Sequence, residues 1–189
     1  MGRRGQSKTQ ARHGPPREDR LRDRTQERLL SPKPPAPPAS SPAVRAIMQG
    51  NRGRDTRPEV ALRSELHRRG LRFRKHVRPL VGSRVTADAV FPTECVAVFV
   101  DGCFWHGCPD HGRVPKTNSA YWADKISRNL ARASRTDAAL HDAGWIVVRA
   151  WEHEPPPAIA DRVADAVVGR RRQDGANGRR QPPTPGNLR

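Results

Sequence analysis

Residues 95–112 read Cys-Val-Ala-Val-Phe-Val-Asp-Gly-Cys-Phe-Trp-His-Gly-Cys-Pro-Asp-His-Gly, and the change of character partway along this stretch decides the fold. Cys95 to Val100 is wholly apolar, the pattern of a strand buried on both faces in the middle of a sheet. From Asp101 onward the chain gathers Cys103, Cys108, His106, His111, Asp110 and the adjacent pair Phe104 and Trp105. Gly102, Gly107, Gly112 and Pro109 break any helix or ladder there. A loop dense in reactive groups at the end of a central strand is a common position for an active site.

Upstream of this strand, Asp55, Thr56, Arg57 and Pro58 give a helix start, with Pro at the first helical position and Glu59 in the first turn. Val60, Leu62 and Leu66 supply its inner face, and Gly70 stops it. Leu71, Phe73 and Val77 alternate with Arg72, Arg74 and His76, which predicts a half-buried strand with a basic outer face. Val85 to Phe91 predicts a second strand with Asp88 at its middle, ended by Pro92. Downstream, Ser119 is placed to cap a long helix with Trp122, Ile126, Leu130 and Ala133 on one face and Lys125, Asn129 and Arg132 flanking it. Gly144 ends that helix. Trp145 to Trp151 predicts a fourth strand leading to Glu152 and His153. Prolines 155–157 lead into a last helix with Ile159, Val163, Ala166 and Val167 inward. This order predicts a small α/β core in which a crossover helix joins the third strand to a parallel fourth.

The 189 residues are unevenly composed. Residues 1–43 hold ten Lys/Arg against four Asp/Glu and eight prolines, with few large apolar residues. Residues 169–189 hold six arginines against one aspartate. Both read as disordered basic tails, leaving residues 44–168 as the folded domain. The net charge of +17 is spread over all three parts, which favours a polyanionic partner, most simply nucleic acid. A coding bias toward arginine explains the choice of cation but not the excess of charge. No run approaches the roughly 18 apolar residues of a membrane span, and the N-terminus lacks the apolar segment of a signal peptide. The expectation is an intracellular, cytoplasmic protein with no membrane partner.

Cys103, Cys108 and His111 can fold around one ion through turns at Gly107 and Pro109. Tetrahedral zinc needs a fourth ligand, and His153, at the end of the next strand, is the candidate. Four protein ligands make the zinc structural. The alternative is a pair of free thiols with incidental histidines, against which stands the tightness of the cluster. Asp88, inside an apolar strand, is costly unless a cation or a water-filled cleft receives it, or unless it lies on an exposed edge. With Asp101 at the end of the neighbouring strand it makes a carboxylate pair suited to Mg²⁺. His106, outside the zinc shell, is then the candidate to activate water for attack on a phosphodiester. Glu59 either faces the same cleft or simply stabilises its helix N-terminus. Phe104 and Trp105, with Met48, form a candidate wedge between base pairs; otherwise Trp105 covers the zinc site.

Taken together, Arg-Asp-Thr at 54–56, Glu59, Asp88, Gly-Cys-Phe-Trp-His at 102–106, Trp122-x-x-Lys125-Ile126-x-x-Asn129, Gly144-Trp145 and Trp151-Glu152 resemble the very short patch DNA mismatch repair endonucleases over about residues 44–153. The resemblance implies an α/β, restriction-endonuclease-like three-layer core with a central mixed sheet and a structural zinc. It implies Mg-dependent nicking of one strand of double-stranded DNA beside the T of a T·G mismatch left by deamination of 5-methylcytosine. Carried over, Asp88 is the magnesium carboxylate, His106 the catalytic histidine, Glu59 an assisting acid, and Phe104, Trp105 and Met48 the intercalating group. A monomer is expected, with other mismatch-repair proteins as further candidate partners.

The chain also departs from the family pattern. The usual Gly-Arg-Pro-Asp is here Val85-Thr86-Ala87-Asp88. A second histidine is replaced by Asp101, read here as a metal ligand. A cysteine after Trp-Glu is replaced by His153. An acidic position in the long helix is Ala133, with Asp137 one turn on. Two other readings stay open: a non-catalytic zinc-stabilised DNA-binding protein, and a related nuclease without mismatch preference.

Overall fold

The computed structural model describes residues 35–39, 41–50 and 53–177. The expected tails therefore fall largely outside the described residues, as does the side chain of Met48. Within them the order is α1 (Pro42–Gly50), α2 (Arg57–Arg68), β1 (Ala89–Phe91), β2 (Val96–Asp101), α3 (Ser119–Asp142), β3 (Ile146–Trp151) and α4 (Pro156–Asn177). The sheet order is β1-β2-β3. β1 runs antiparallel to β2, and β2 runs parallel to β3 with Val96 opposite Ile146 and Asp101 opposite Trp151. The crossover through α3 is the one expected from the apolar runs on either side of it.

β2 is covered on both faces, and its alternation sorts the core. Val96 and Val98 pack with Leu62 and Leu66 of α2 and with Ile159, Val163 and Val167 of α4. Ala97 and Phe99 point the other way, to Leu140 of α3 and to Trp145. Each fully buried aliphatic side chain of this kind stabilises the fold by roughly 1.5–3 kcal/mol. Both α2 and α3 end in the same way. Gly70 and Gly144 take left-handed φ values of 73° and 79°. The next residues, Leu71 and Trp145, then donate back to the carbonyls of Leu66 and Leu140 at 3.0 and 2.9 Å. That closure turns an apolar residue inward just where the helix stops.

Several expectations need correction. Leu71–Val77 is not a strand: it makes only isolated bridges, Arg74 to Val90 and Val77 to Ala87. The extended run is broken by His76, at φ 55°, whose ring reaches Asp55. The strand expected from Val85 begins only at Ala89, so Asp88 stands on the bend before it rather than at its middle. Asn118, left-handed at φ 57°, precedes α3 in place of a Ser119 cap. Val60 and Leu130 are exposed. α1 was not expected; its signal is Ser41-Pro42, where the serine hydroxyl accepts the Val44 N–H at 3.2 Å and proline follows at the first helical position. The last helix continues to Asn177, so residues 169–177 are helical rather than tail. Arg170 binds the backbone carbonyls of Glu94 and Gly144, and Arg171 pairs with the Glu94 carboxylate at 2.8 Å, which ties that extension to the body. No helix among the described residues is long and apolar enough to cross a membrane.

Candidate active site and metal centre

Because β2 and β3 are parallel and in register, the loops leaving their carboxyl ends lie side by side, the usual place for a site in an open α/β sheet. Glu152 N–H donates to the Asp101 carbonyl at 3.0 Å, and the Glu152 carboxylate accepts the Cys103 N–H at 2.6 Å. These two bonds carry His153 to the loop that follows β2. Its Nδ1 lies 3.0 Å from Cys103 Sγ and 3.7 Å from Cys108 Sγ. His111 Nδ1 is 3.8 Å from Cys108 Sγ. Donor atoms of Cys103, Cys108, His111 and His153 all fall within 4.8 Å of one another, so all four expected ligands meet in a group able to hold one metal ion. The loop is tight: Gly112 N–H bonds the Cys108 carbonyl at 2.7 Å. A Cβ at Gly112 would meet that oxygen at 2.4 Å. Without an ion, burial and then the neighbouring Cys108 push the Cys103 thiol up to about 11. The Cys108 thiol, despite burial, is held below its ordinary value by the N–H and ring of His111. Metal binding to these groups would require the thiols to give up their protons.

Next to this group is a cavity of about 450 Å³ lined by Thr56 and Glu59 from the start of α2, Val100 from β2, and Trp105 and His106 from the loop. Asn129 and Arg132 of α3, Glu152, Gly53 and Gly102 complete it. Glu59 is buried and holds the helix start, accepting the Asp55 N–H at 2.9 Å and the Thr56 hydroxyl at 2.8 Å. Its two readings therefore coexist: it organises the N-terminus of α2 and also faces the cavity. Asp88 does not line the cavity itself. It sits directly behind Val100, whose N–H it binds at 2.7 Å through Oδ2. Burial pushes its carboxyl up to about 6, opposed by that N–H; Glu59 and Asp101 add to the rise, and Arg63 opposes it.

The surroundings of Asp101 differ from those of a free metal ligand. Both its oxygens accept from Arg149 Nη1 at 2.8 Å, and its Oδ1 is 3.4 Å from His106 Nδ1. Burial holds the His106 imidazole below its ordinary range, against the pull of Asp101, with Arg149 and Arg132 acting in the same direction as burial. Phe104 and Trp105 stack edge-on at 4.9 Å and meet Trp122 of α3 at 5.3 and 6.2 Å. Lys125 Nζ lies 4.7 Å from the Trp105 ring centre. Asn129 Nδ2 donates to the Trp105 carbonyl at 2.9 Å. The aromatic pair is therefore a half-buried cluster on the rim of the cavity.

Two buried or half-buried arginines escaped the sequence reading. Arg149 is the single cation in the otherwise apolar run from Trp145 to Trp151. Arg63 is buried and pairs with Asp55, with Nη1 3.5 Å from Glu59 but without a hydrogen bond of its own. The i, i+4 spacing of Glu59 and Arg63 was the available signal.

A family model described as "DNA mismatch endonuclease Vsr" matches residues 40–110. The type II nicking enzyme V.NaeI of Lentzea aerocolonigenes is 50% identical over 122 residues, covering 64% of this chain and 72% of that protein. The type II nicking enzyme V.XorIIP of Xanthomonas oryzae pv. oryzae is 47% identical over 111 residues, 58% of this chain and 79% of that one. DNA mismatch endonuclease Vsr of Escherichia coli K12 is 36% identical over 100 residues, 52% of this chain and 62% of it. With the His106 cavity and the Cys/His group arranged as they are on the loop after β2, these similarities establish that the chain belongs to the Vsr, or very short patch repair, family of DNA endonucleases.

Proposed function

We propose that this chain is a Mg²⁺-dependent endonuclease that nicks one strand of duplex DNA beside the T of a T·G mismatch, acting as an intracellular monomer. The observation that carries the reading is the convergence of His106 and Glu59 on one cavity with Trp105 at its wall, and the anchoring of Asp88 to the backbone of Val100 directly behind that wall. The mixed sheet with helices on both faces supports a restriction-endonuclease-like core.

Two metals are part of the proposal. For Cys103, Cys108, His111 and His153 the ion is Zn²⁺. Two thiolates and two imidazoles are its preferred donors, and Zn–S near 2.3 Å with Zn–N near 2.0–2.1 Å puts tetrahedral ligands about 3.3–3.8 Å apart. The spacings of 3.7 and 3.8 Å from Cys108 to His153 and His111 suit that shell, while the 3.0 Å between Cys103 and His153 is shorter than a shared ion would set. Four protein donors close it, so this ion is structural. For the second metal, Asp88 offers a hard oxygen in a spot where Glu59 and Asp101 already crowd negative charge, charge that Mg²⁺ would neutralise. When bound there, Mg²⁺ supplies stabilisation of the charge that builds on the phosphate and eases deprotonation of water. Glu59, whose charge already acts on Asp88, would assist it. Asp101, committed to Arg149 and His106, is assigned to the imidazole rather than to the metal.

His106 takes the proton from the attacking water. Its Nδ1 side faces Asp101, which leaves Nε2 for that transfer. Arg132, on the cavity wall, is available to a phosphate. Phe104 and Trp105, with Met48, would enter the base stack at the mismatch, where unstacking costs least. The high net positive charge draws the duplex in without regard to sequence.

The test is a nicking assay on a T·G duplex and its T·A control, with Mg²⁺ or with EDTA. Mg²⁺-dependent nicking confined to the T·G duplex is expected. Equal cutting of the control would make the protein a nuclease without mismatch preference, and tight binding without a nick would make it a zinc-stabilised DNA-binding protein.

A further inference from the structure

Behind His106 and Asp101 lies an ion-pair chain, Arg149 with Asp137, that the proposed reaction does not use. Arg149, in β3, spreads its guanidinium between two carboxylates. Nη1 donates to both oxygens of Asp101 at 2.8 Å. Nε donates to both oxygens of Asp137, on α3, at 3.0 and 2.8 Å. The guanidinium carbon lies 4.7 Å from the ring centre of Phe99. Two donor edges and a stacked face fix a planar cation completely, which a lysine could not reproduce. Asp101, only 9% exposed, therefore has no freedom to turn, and its Oδ1 is left 3.4 Å from His106 Nδ1.

We propose that Arg149, gripped by Asp137, is a positioning residue for His106. It locks Asp101 so that the carboxylate holds the proton on Nδ1 and keeps Nε2 bare toward the cavity. The inference rests on the reading of His106 as the general base. It also links two departures noted in the sequence. Asp137, one turn beyond Ala133, acts on the imidazole through Arg149 and through the aspartate at 101. A carboxylate behind a histidine sets which ring nitrogen carries the proton. A carboxylate held by a second ion pair keeps that setting while the substrate moves.

The test uses the full chain with Arg149→Ala, Arg149→Lys and Asp137→Asn. Three quantities are read: the single-turnover nicking rate on a saturating T·G duplex, the affinity for that duplex, and the His106 ring tautomer by nitrogen NMR at a pH where the ring is neutral. Arg149→Ala should slow nicking by ~10²-fold, the scale of a misaligned catalytic group, and Asp137→Asn by about tenfold, the scale of an outer-shell partner. Arg149→Lys should behave like the alanine variant, although it keeps the charge. Affinity should change by less than about twofold, so that the loss lies in the rate and not in binding. The ring should pass from one tautomer to a mixture, and added methylguanidinium should partly restore Arg149→Ala.

An unchanged tautomer in Arg149→Ala, or a rate loss matched by lost affinity or lost folded fraction, would overturn the proposal. Should Arg149→Ala not fold, Asp137→Asn carries the same readouts. Undiminished nicking by His106→Ala would instead sink the general-base reading, and the tautomer measurement would still decide whether Arg149 orients the ring.

Discussion

The Cys/His group and the cavity beside it share one loop but are assembled differently. Three of the four side chains of the Cys/His group lie between residues 103 and 111, and a single distant residue, His153, joins them through the parallel register of β2 and β3. The cavity draws on the start of α2, the end of β2, the loop, α3 and the residue after β3, and behind its His106 the ion pairs of Arg149 with Asp101 and Asp137 cross between elements. One is a local knot that a metal can tie. The other is a convergence that exists only when the whole sheet is in place. Stability and chemistry should therefore separate cleanly between the two.

The largest effect should come from undoing the knot. Cys108→Ala, or chelation of the native protein, should abolish nicking and lower the melting temperature by about 10 °C, the scale of some 3 kcal/mol in a domain of this size. A thermal melt that ignored both the mutation and the chelator would erase the distinction drawn here. His106→Ala tests the other side. Single-turnover nicking should fall by ~10²- to 10⁴-fold, the range of general-base catalysis, with the melting temperature and DNA affinity unchanged.

Gly112→Ala sits at an intermediate level. The new methyl would press on the Cys108 carbonyl, and overpacking of this kind costs about 1–3 kcal/mol. Metal affinity, followed by competition with a chromophoric chelator, should drop with it. Unchanged affinity would mean that the turn is looser than the 2.7 Å bond from Gly112 to Cys108 implies. Asn129→Ala should give the smallest change. Losing the bond to the Trp105 carbonyl costs about 1 kcal/mol. Its mark should be faster hydrogen exchange at residues 104–106, with little effect on the melt.

The same contrast governs what could be read from the sequence. Cysteine and histidine are scarce, so Cys103, Cys108 and His111 stand out, and His153 follows once two apolar runs are read as neighbouring parallel strands. Asp88 is visible as a carboxylate in an apolar run, though its place on a bend is not. Arg149 was missed because periodicity treats a single cation in a strand as noise. Its role depends on Asp101 and Asp137, which are distant in sequence and meet only in the folded sheet. The strand expected at Leu71–Val77 failed for a related reason. The alternation of apolar and basic residues is genuine, but His76 takes a backbone angle usually left to glycine or asparagine, in contact with Asp55, and no local pattern encodes that pairing. The helix from Pro42 is legible in principle, from a serine cap followed by proline and from Val44, Ile47 and Met48 at helical spacing.

Asp88 completes the strand ladder where β1 runs out, its Oδ2 standing in for a backbone carbonyl toward Val100. An asparagine there keeps an oxygen for that rung while removing the negative charge, whereas alanine would leave the rung empty and let the end of the sheet fray. On the proposed role of Asp88 as the metal carboxylate, Asp88→Asn is accordingly the variant of choice for trapping the protein on uncut DNA, since it removes the charge without unfastening the end of the sheet.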